Sequence, residues 1–219
     1  MPKKIVIADK SICLEGEYKL FSDAFHKKKM QVVKKLLGNK TGNVLDVGCY
    51  TAHLAELLDG KYKYFGLDII KLNPEIKNFV QQDLNENTHL PFKNNFFDIV
   101  VCTEVLEHLY YPDKVATEIS RVLKKDGLAV ISLPNHFYLL KRLQYLLGKN
   151  FYRFGYYDDH WVFDMKRSES FVSMFFKIIK SYPYCVLPKI KKEVRFLANI
   201  NPNLFAHWFF FLCKKGAAQ

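Results

Sequence analysis

The sequence lacks the features that mark membrane-spanning, disulfide-rich and zinc-binding proteins. No apolar run approaches the roughly 20 residues that a helix needs to cross a bilayer, and the longest candidate, residues 204–213, is interrupted by His207. The five cysteines form no Cys-x-x-Cys pair, and their odd number favours reduced thiols over a disulfide framework or a zinc ribbon. The first residues carry positive charge without the apolar stretch of a signal peptide. We therefore expect a cytoplasmic protein without a transmembrane segment.

The sequence does contain enough chain for one sizeable domain with a buried core, since it has 219 residues, of which 49% are hydrophobic and 25% charged. Its net charge is +11, with a basic excess in residues 1–40 and 141–219 and a mildly acidic segment between them. These basic flanks fit either an anionic partner such as RNA or the solvated faces of Lys-rich helices, and net charge alone does not separate the two.

Strand-like and helix-like patterns alternate along the chain. Apolar runs predict strands at 43–47, 62–67, 79–81, 97–102 and 128–133, a turn at 125–127, and two late strands at 177–187 and 206–213. Helical periodicity predicts helices at 16–37, 51–59, 113–123, 136–147 and 168–176, the last with Ser168 as its N-cap. This alternation predicts an α/β fold with a doubly wound, mostly parallel sheet that ends in an antiparallel hairpin.

Residues 44–54 form the most informative motif. A short apolar run contains Asp46, is followed by Gly48 and passes into a helical pattern. Such a strand–turn–helix unit places backbone N–H groups at the carboxyl edge of a sheet, where ligands bind. The motif lacks the Gly-Lys-Ser/Thr ending of a phosphate loop, and Asp46 would repel a pyrophosphate. The motif therefore favours an adenosine-type cofactor with cationic or hydroxyl groups.

Further short motifs follow this loop in a fixed order. They are Gly-Leu-Asp at 66–68, Gln-Asp-Leu at 82–84, Phe-Asp-Ile-Val-Val-Cys at 97–102, Glu-Val-Leu-Glu-His at 104–108 and Arg-Val-Leu-Lys-Lys-Asp-Gly at 121–127. In this order and spacing they resemble the class I S-adenosylmethionine-dependent methyltransferases, from about residue 40 onward, and in particular a small type 11-like group. The resemblance implies a Rossmann-like, seven-stranded fold, S-adenosylmethionine as cofactor and S-adenosylhomocysteine as product.

The resemblance also implies roles for the acidic strand ends. Asp68 would accept from both ribose hydroxyls, Asp83 from the adenine amino group, and Asp46 would lie near the charged methionine moiety. In isolation, Asp68 and Asp83 would equally fit helix caps or turns. The complete set of implied cofactor-binding residues is Asp46, Gly48, Cys49, Tyr50, Asp68, Ile69, Asp83, Leu84 and Thr103.

The loop departs from the family at one position. The family has glycines at alternating positions after the first acid, and here those positions hold Gly48, Tyr50 and Ala52. A positive φ at Tyr50 would cost on the order of 1 kcal/mol or more. We expect either another turn type or a Tyr50 ring that lies over the cofactor. A blocked cofactor site would instead make the chain a non-catalytic binding protein.

A second group of residues follows the fourth predicted strand. Helical spacing puts Glu104, Glu107 and His108 on one face, and two carboxylates with an imidazole suit a divalent metal. Together with His160, they resemble the small-RNA 2′-O-methyltransferases and the ubiquinone-pathway O-methyltransferases. That resemblance implies Mg²⁺ or a similar ion held by Glu104, Glu107, His108 and His160. Without a metal, His108 or His160 would act as general base, or the motif would shape the pocket by hydrogen bonds.

These patterns predict a single-domain methyltransferase that acts on oxygen. We expect Glu104, His108 and His160 to be catalytic, and the acceptor to be a small molecule, a glycan or a lipid precursor, with RNA as the alternative. The predicted organisation is a helical extension (1–40), a cofactor-binding core (41–134), substrate-side helices with a lid (135–176) and a C-terminal hairpin (177–219). Aromatic residues at 151–163 either cover the substrate or pack the loop onto the sheet. The sequence leaves the oligomeric state open.

Overall fold

The computed structural model describes residues 5–8, 11–14, 17–148, 159–187, 192–193 and 195–216, with side chains from residue 26 onward except 186–187, 192–193 and 195. Most of the predicted aromatic lid therefore lies outside the described residues. The strands are β1 (Ile5–Ala8), β2 (Ser11–Leu14), β3 (Gly42–Val47), β4 (Tyr62–Asp68), β5 (Phe79–Gln81), β6 (Phe97–Thr103), β7 (Leu123–Pro134), β8 (Phe176–Tyr184), β9 (Val186–Leu187), β10 (Lys192–Glu193) and β11 (Trp208–Lys215). The helices are α1 (Glu17–Leu37), α2 (His53–Leu57), α3 (Pro112–Val122), α4 (Leu139–Leu146), α5 (Met165–Phe175), α6 (Arg195–Ile200) and α7 (Pro202–Phe205), with a 3-10 turn at Leu106–His108.

One mixed sheet organises the molecule. Its seven strands lie in the order β5-β4-β3-β6-β7-β11-β8. Neighbouring strands from β5 to β7 are parallel, whereas β11 runs antiparallel to both β7 and β8. The predicted α/β fold, a Rossmann-like doubly wound sheet with an antiparallel pair at its edge, is thus confirmed. Chain order reverses between β3 and β6, and open α/β sheets bind ligands at the carboxyl ends of strands at such a reversal.

Continuous apolar runs form the centre of the sheet because both of its faces are covered. The segment 99–102 of β6 and the segment 209–211 of β11 are fully buried. On one face, α3 contributes its apolar stripe to the core that also contains Val100 and Phe211. On the other, the C-terminal half of α1 packs against Val44 and Ile99. The late aromatic run at 208–211 is therefore a buried strand.

Three local predictions are corrected. The turn expected at 125–127 lies inside β7, and an irregular register opposite Phe97 and Ile99 of β6 accommodates it. Helix α5 begins at Met165 rather than at 168, because Asp164 is its N-cap and accepts a hydrogen bond from the Arg167 N–H at 2.8 Å. Helix α2 is shorter than expected and ends at Leu57. The β1–β2 hairpin and helices α6 and α7 were not predicted. Among the described residues, no helix is both long enough and apolar enough to cross a bilayer.

Candidate active site

Three residues of the loop after β3 have a left-handed backbone conformation, although only one of the three is glycine. Gly48, Tyr50 and Ala52 have φ values of 70°, 48° and 60°. These are the positions at which the resembling family carries glycine, and here Tyr50 and Ala52 adopt positive φ despite their side chains. The Tyr50 ring stacks on the ring of His26 in α1, with centroids 5.0 Å apart and planes 30° apart. This ring contact packs the loop against α1 at the residue that has the strained, positive φ.

Gly48 is the position in this loop where a side chain would not fit. Its N–H donates to the carbonyl of Leu67 at 2.8 Å, which anchors the loop to the end of β4. A Cβ on Gly48 would collide with the side chain of Val105. The close approach of the two chain segments therefore requires glycine here, in addition to the positive φ.

Asp68 ends β4 with its carboxylate fixed by the backbone. One oxygen accepts from the Tyr50 N–H at 2.7 Å and the other from the Ile69 N–H at 2.7 Å. Burial nevertheless raises the pKa of Asp68. Each carboxylate oxygen has a further lone pair, so Asp68 can still accept from two hydroxyls of a ligand at this edge.

Asp46 lies deeper in the same edge. It is 3% exposed, and the Tyr64 hydroxyl donates to its Oδ2 at 2.8 Å. Burial raises the pKa of Asp46 to about 7, against the opposing effect of the Tyr64 hydrogen bond. Burial also raises the pKa of the neighbouring Cys49 thiol, so this thiol is neutral at physiological pH. A cationic ligand at this edge would favour the ionised form of Asp46.

The remaining predicted cofactor residues lie at the ends of β5 and β6. Asp83 Oδ1 accepts from the Asn85 N–H at 2.8 Å, which is the turn-forming role that aspartate often has. Leu84 is buried, Thr103 is partly exposed at the end of β6, and Ile69 is exposed beside Asp68. The structure therefore gathers the predicted set along one edge of the sheet.

Glu104 follows β6 in a strained conformation. Its φ is 55°, which is unfavourable for a residue other than glycine and is typical of functional sites. The Ser132 hydroxyl donates to Glu104 Oε1 at 2.8 Å, and the Lys29 ammonium lies 3.8 Å from Oε2. Lys29 comes from α1, is 5% exposed and also lies over the Trp208 ring, 5.0 Å from its centroid.

Glu107 is the most deeply buried acid of the site. It is 1% exposed, and its Oε2 has no hydrogen-bond partner in the described part of the chain. Burial, together with the charge of Glu104, raises the pKa of Glu107 well above its usual range. Its other oxygen lies 3.9 Å from His108 Nε2. Glu107 therefore lies buried beside the His108 ring, in surroundings that disfavour its ionised form.

Asp159 joins two histidines. Its Oδ1 lies 3.0 Å from His108 Nδ1, and its Oδ2 lies 2.8 Å from His136 Nε2. The Phe163 N–H donates to His136 Nδ1 at 3.0 Å. Although burial opposes it, the contacts with His108 and His136 hold the pKa of Asp159 well below its usual range.

His160 is placed differently from the prediction. Its backbone N–H donates to the Glu107 carbonyl at 2.8 Å, but its side chain is exposed and lies on the Tyr110 ring, with centroids 4.5 Å apart. His160 therefore fastens the loop to the 3-10 turn through its backbone.

The predicted metal set of Glu104, Glu107, His108 and His160 does not fit a metal centre. Within the described ranges, no three His, Cys, Asp or Glu side chains are grouped so that they could hold a metal ion. The contacts give the reason. Glu104 faces Ser132 and Lys29, and the His160 ring lies on Tyr110.

Sequence reasoning missed several side chains of the site. Lys29 stands in a run of lysines that resembles a solvated face, although its spacing from Val33 places it on the buried stripe of α1. Tyr64 stands between Lys63 and Phe65 in β4 and belongs to no motif. His136 lies two residues after the end of β7 and was not predicted, whereas Asp159 belongs to the segment from which a fourth ligand was expected beside His108.

Comparisons with known proteins identify the family of this chain and agree with its fold. The chain matches the methyltransferase domain family over residues 21–168. It is 35% identical over 111 residues to an uncharacterized protein of Methanocaldococcus jannaschii, covering 50% of this chain and 48% of that protein. It is 29% identical over 134 residues to a ubiquinone biosynthesis O-methyltransferase of Vibrio atlanticus, covering 56% of each. The solved structure of a SAM dependent methyltransferase from Archaeoglobus fulgidus has a TM-score of 0.63 at 18% identity, covering 91% of this chain and 100% of that one. The chain spans about half the length of the curated relatives it matches.

Proposed function

The chain belongs to the methyltransferase domain family of class I, S-adenosylmethionine-dependent enzymes, and from that premise we propose that it transfers the methyl group of S-adenosylmethionine to a hydroxyl oxygen. The acceptor would be a hydroxyl of a small molecule, a glycan or a lipid precursor. The printed name of the Vibrio relative, an O-methyltransferase, supports oxygen as the acceptor atom.

The observation that carries this proposal is the partly exposed His108 at the carboxyl edge beside the cofactor loop. A hydroxyl is a poor nucleophile at neutral pH, so its methylation gains from a base that removes the proton during the reaction. The side chain of His108 is 28% exposed and lies against Asp159. Glu104 directly follows the end of β6. Methyl transfer is an in-line displacement, for which orientation of the two reactants supplies much of the rate.

The cofactor would bind along the loop between β3 and α2. Asp68 would accept from the ribose hydroxyls, Asp83 from the adenine amino group, and Asp46 would face the charged methionine moiety. Gly48, Cys49, Tyr50, Ile69, Leu84 and Thr103 would line the same edge. Backbone hydrogen bonds already hold both oxygens of Asp68 in place, which favours binding because little reorganisation is needed.

RNA is less well supported as the acceptor. One cleft among the described residues contains Lys40, Lys124, Lys125 and Lys215, together with Asp98 and Asp126. Its lysines adjoin the starts of β3 and β7 and the end of the antiparallel β11, so the cleft lies at the sheet edge opposite to His108. RNA bound there would not bring a ribose hydroxyl to the candidate site.

Transfer of tritium-labelled methyl groups tests the proposal. The full chain would be incubated with labelled S-adenosylmethionine and a panel of hydroxyl acceptors, namely catechol, a methyl glycoside, a fatty alcohol and a nucleoside, each paired with its amine or thiol analogue. We expect transfer to at least one hydroxyl and a large loss on replacing His108 with Ala. Transfer only to amines or thiols would contradict oxygen as the acceptor. Preference for an RNA oligonucleotide, with an affinity that falls steeply with added salt, would favour the RNA alternative.

A further inference from the structure

We propose that Lys141 of α4, together with Lys29 of α1, binds an anionic group of the methyl acceptor, so that the protein selects acceptors that carry a carboxylate or a phosphate. The inference rests on the proposed function and deepens it, because it names a chemical class among the acceptors considered above. The two lysines would act in recognition of the acceptor and not in removal of its proton.

A row of aromatic rings connects the two lysines. The Lys29 ammonium lies 5.0 Å from the centroid of the Trp208 ring, and the Lys141 ammonium lies 5.9 Å from that of the Tyr138 ring. Between these rings, the His207 ring lies 5.6 Å from Trp208 and 4.5 Å from Tyr138. All three rings belong to partly exposed residues, so they line a surface that a ligand can reach.

This surface lies beside the candidate active site. Trp208 pairs with Pro134, the last residue of β7, and therefore stands at the carboxyl edge of the parallel strands. The charge of Asp159 acts on Lys141, and Asp159 itself lies 3.0 Å from His108 Nδ1. An acceptor bound at His108 would thus have Lys141 in its surroundings.

Lys141 carries a positive charge that no partner within the protein balances directly. Its ammonium has no ion pair and no hydrogen bond among the described residues, although the residue is only partly exposed. The two nearby acids are engaged elsewhere, since Asp159 contacts two histidines and Glu104 lies against Lys29. An ammonium has three donors, so Lys141 can offer all of them to a ligand.

Lys29 also has hydrogen-bonding capacity to spare. Its side chain is 7% exposed, and the Glu104 oxygen 3.8 Å from its ammonium is beyond hydrogen-bond length. The other Glu104 oxygen accepts from the Ser132 hydroxyl. His207 adds no positive charge, because burial, together with the charge of Lys141, lowers its pKa to about 4. The positive charge of this surface therefore comes from the two lysines.

An anionic group fits this arrangement better than a neutral one. Hydrogen bonds from an ammonium to ionised oxygens are shorter and stronger than those to neutral oxygens. A neutral acceptor that covered Lys141 would remove its ammonium from water without a partner, which costs free energy. The methionine carboxylate of the cofactor is a second anion expected at this edge, so the experiment has to separate the cofactor from the acceptor.

Binding of acceptor pairs that differ in charge tests the inference. The full chain would be saturated with S-adenosylhomocysteine and titrated by calorimetry with catechol and dihydroxybenzoate, a methyl glucoside and a methyl glucuronide, and a nucleoside and its monophosphate. We expect the anionic member of at least one pair to bind at least about tenfold more tightly than the neutral member. Equal affinities in every pair, or no binding of any anionic member, would overturn the inference.

Replacement of each lysine with Met removes the charge and keeps an unbranched side chain. Lys141→Met should reduce the preference to within about threefold, and Lys29→Met should weaken the same complex several-fold. Lys35→Met is the matched control, because the exposed Lys35 also lies over a tyrosine ring, 5.8 Å from the centroid of Tyr182. It stands near the end of α1, which leads to the start of β3, and the variant should keep the wild-type preference.

The affinity for S-adenosylhomocysteine separates the two anions. It should stay within about twofold of the wild-type value in both site variants. A loss of tenfold or more, in a variant that unfolds at the wild-type temperature, would assign the ammonium to the cofactor carboxylate and overturn the inference. An unchanged preference in Lys141→Met would overturn it as well.

Turnover distinguishes a failure of this inference from a failure of the proposed function. Methyl transfer only to the amine or thiol analogues of the anionic acceptors would contradict oxygen as the acceptor atom, while the charge preference would stand. Transfer to the hydroxyls of the neutral members alone would overturn the anionic class and leave the proposed function in place.

Discussion

In the loop after β3, residues with the same left-handed backbone conformation differ in whether the packing requires glycine. Tyr50 and Ala52 adopt positive φ with side chains, which costs L-residues roughly 1–2 kcal/mol each. Gly48 has a similar φ, but a Cβ there would also collide with Val105. The family motif has glycine at all three positions, whereas the packing in this chain requires glycine only at Gly48.

Replacing Gly48 with Ala should lower the free energy of unfolding by more than about 2 kcal/mol, because strain at positive φ adds to overpacking. Gly38→Ala is the matched control, since Gly38 has a φ of 59° with no atom within 4 Å of an added Cβ, and it should cost only about 1 kcal/mol. Urea denaturation measures both values. Equal losses in the two variants would show that contact with Val105 is unimportant, and relief of the Gly48→Ala loss by Val105→Ala would confirm it.

We expect Asp46 to make the affinity for S-adenosylmethionine depend on pH. Its pKa of about 7 in the free protein comes from burial, and the cationic methionine moiety would stabilise the ionised form and lower that pKa in the complex. Affinity for S-adenosylmethionine should therefore rise with pH from about 5.5 to 7.5, by up to about tenfold per pH unit below the free pKa.

Titration calorimetry across this range would measure the effect, with Asp46→Asn as the comparison. The variant should bind more weakly and with a flatter pH profile, which separates Asp46 from other groups that titrate nearby, such as Asp68. A wild-type affinity that is constant with pH, or that falls as the pH rises, would show that Asp46 does not face the cation.

At the scale of elements, the central strands were predictable and several boundaries were not. Buried strands such as β6 read as continuous apolar runs, because both faces are covered. The start of α5 was placed at Ser168 because serine is a good N-cap, yet Asp164 four residues earlier is an equally good cap and is the one used. Local propensity allowed both starts, and tertiary packing, which buries Ser168, decided between them.

Removal of the two candidate N-caps of α5 should affect the stability of the protein differently. Asp164→Ala should cost about 1 kcal/mol through loss of the hydrogen bond from the Arg167 N–H. Ser168→Ala should be nearly neutral or stabilising, because the Ser168 hydroxyl is buried and has no hydrogen-bond partner among the described residues. Thermal unfolding of both variants measures the difference. A larger loss for Ser168→Ala would mean that the helix begins where the sequence suggested.

At the scale of the whole molecule, the topology converts dispersed residues into one site. The parallel strands β3, β4, β5 and β6 end at the same edge, which explains why the sequence could place the acids Asp46, Asp68 and Asp83 together. Lys29 from α1 and Asp159 from the loop before α5 reach the site across more than 50 residues of chain from Glu104 and His108. No local pattern reports such contacts, so the groups that surround Glu104 and His108 became visible only in the folded chain.

The central claim is that this edge binds S-adenosylmethionine, and calorimetric titration with S-adenosylhomocysteine tests it most directly. We expect saturable binding by the wild type and a loss of at least about tenfold in affinity for Asp68→Ala, since hydrogen bonds to a charged group contribute about 1.5–3 kcal/mol. Asp59→Asn is the control, because the Asp59 side chain accepts from the Lys61 N–H in an exposed turn, and this variant should bind as the wild type does. Absence of binding by the wild type, or equal binding by Asp68→Ala, would contradict the account.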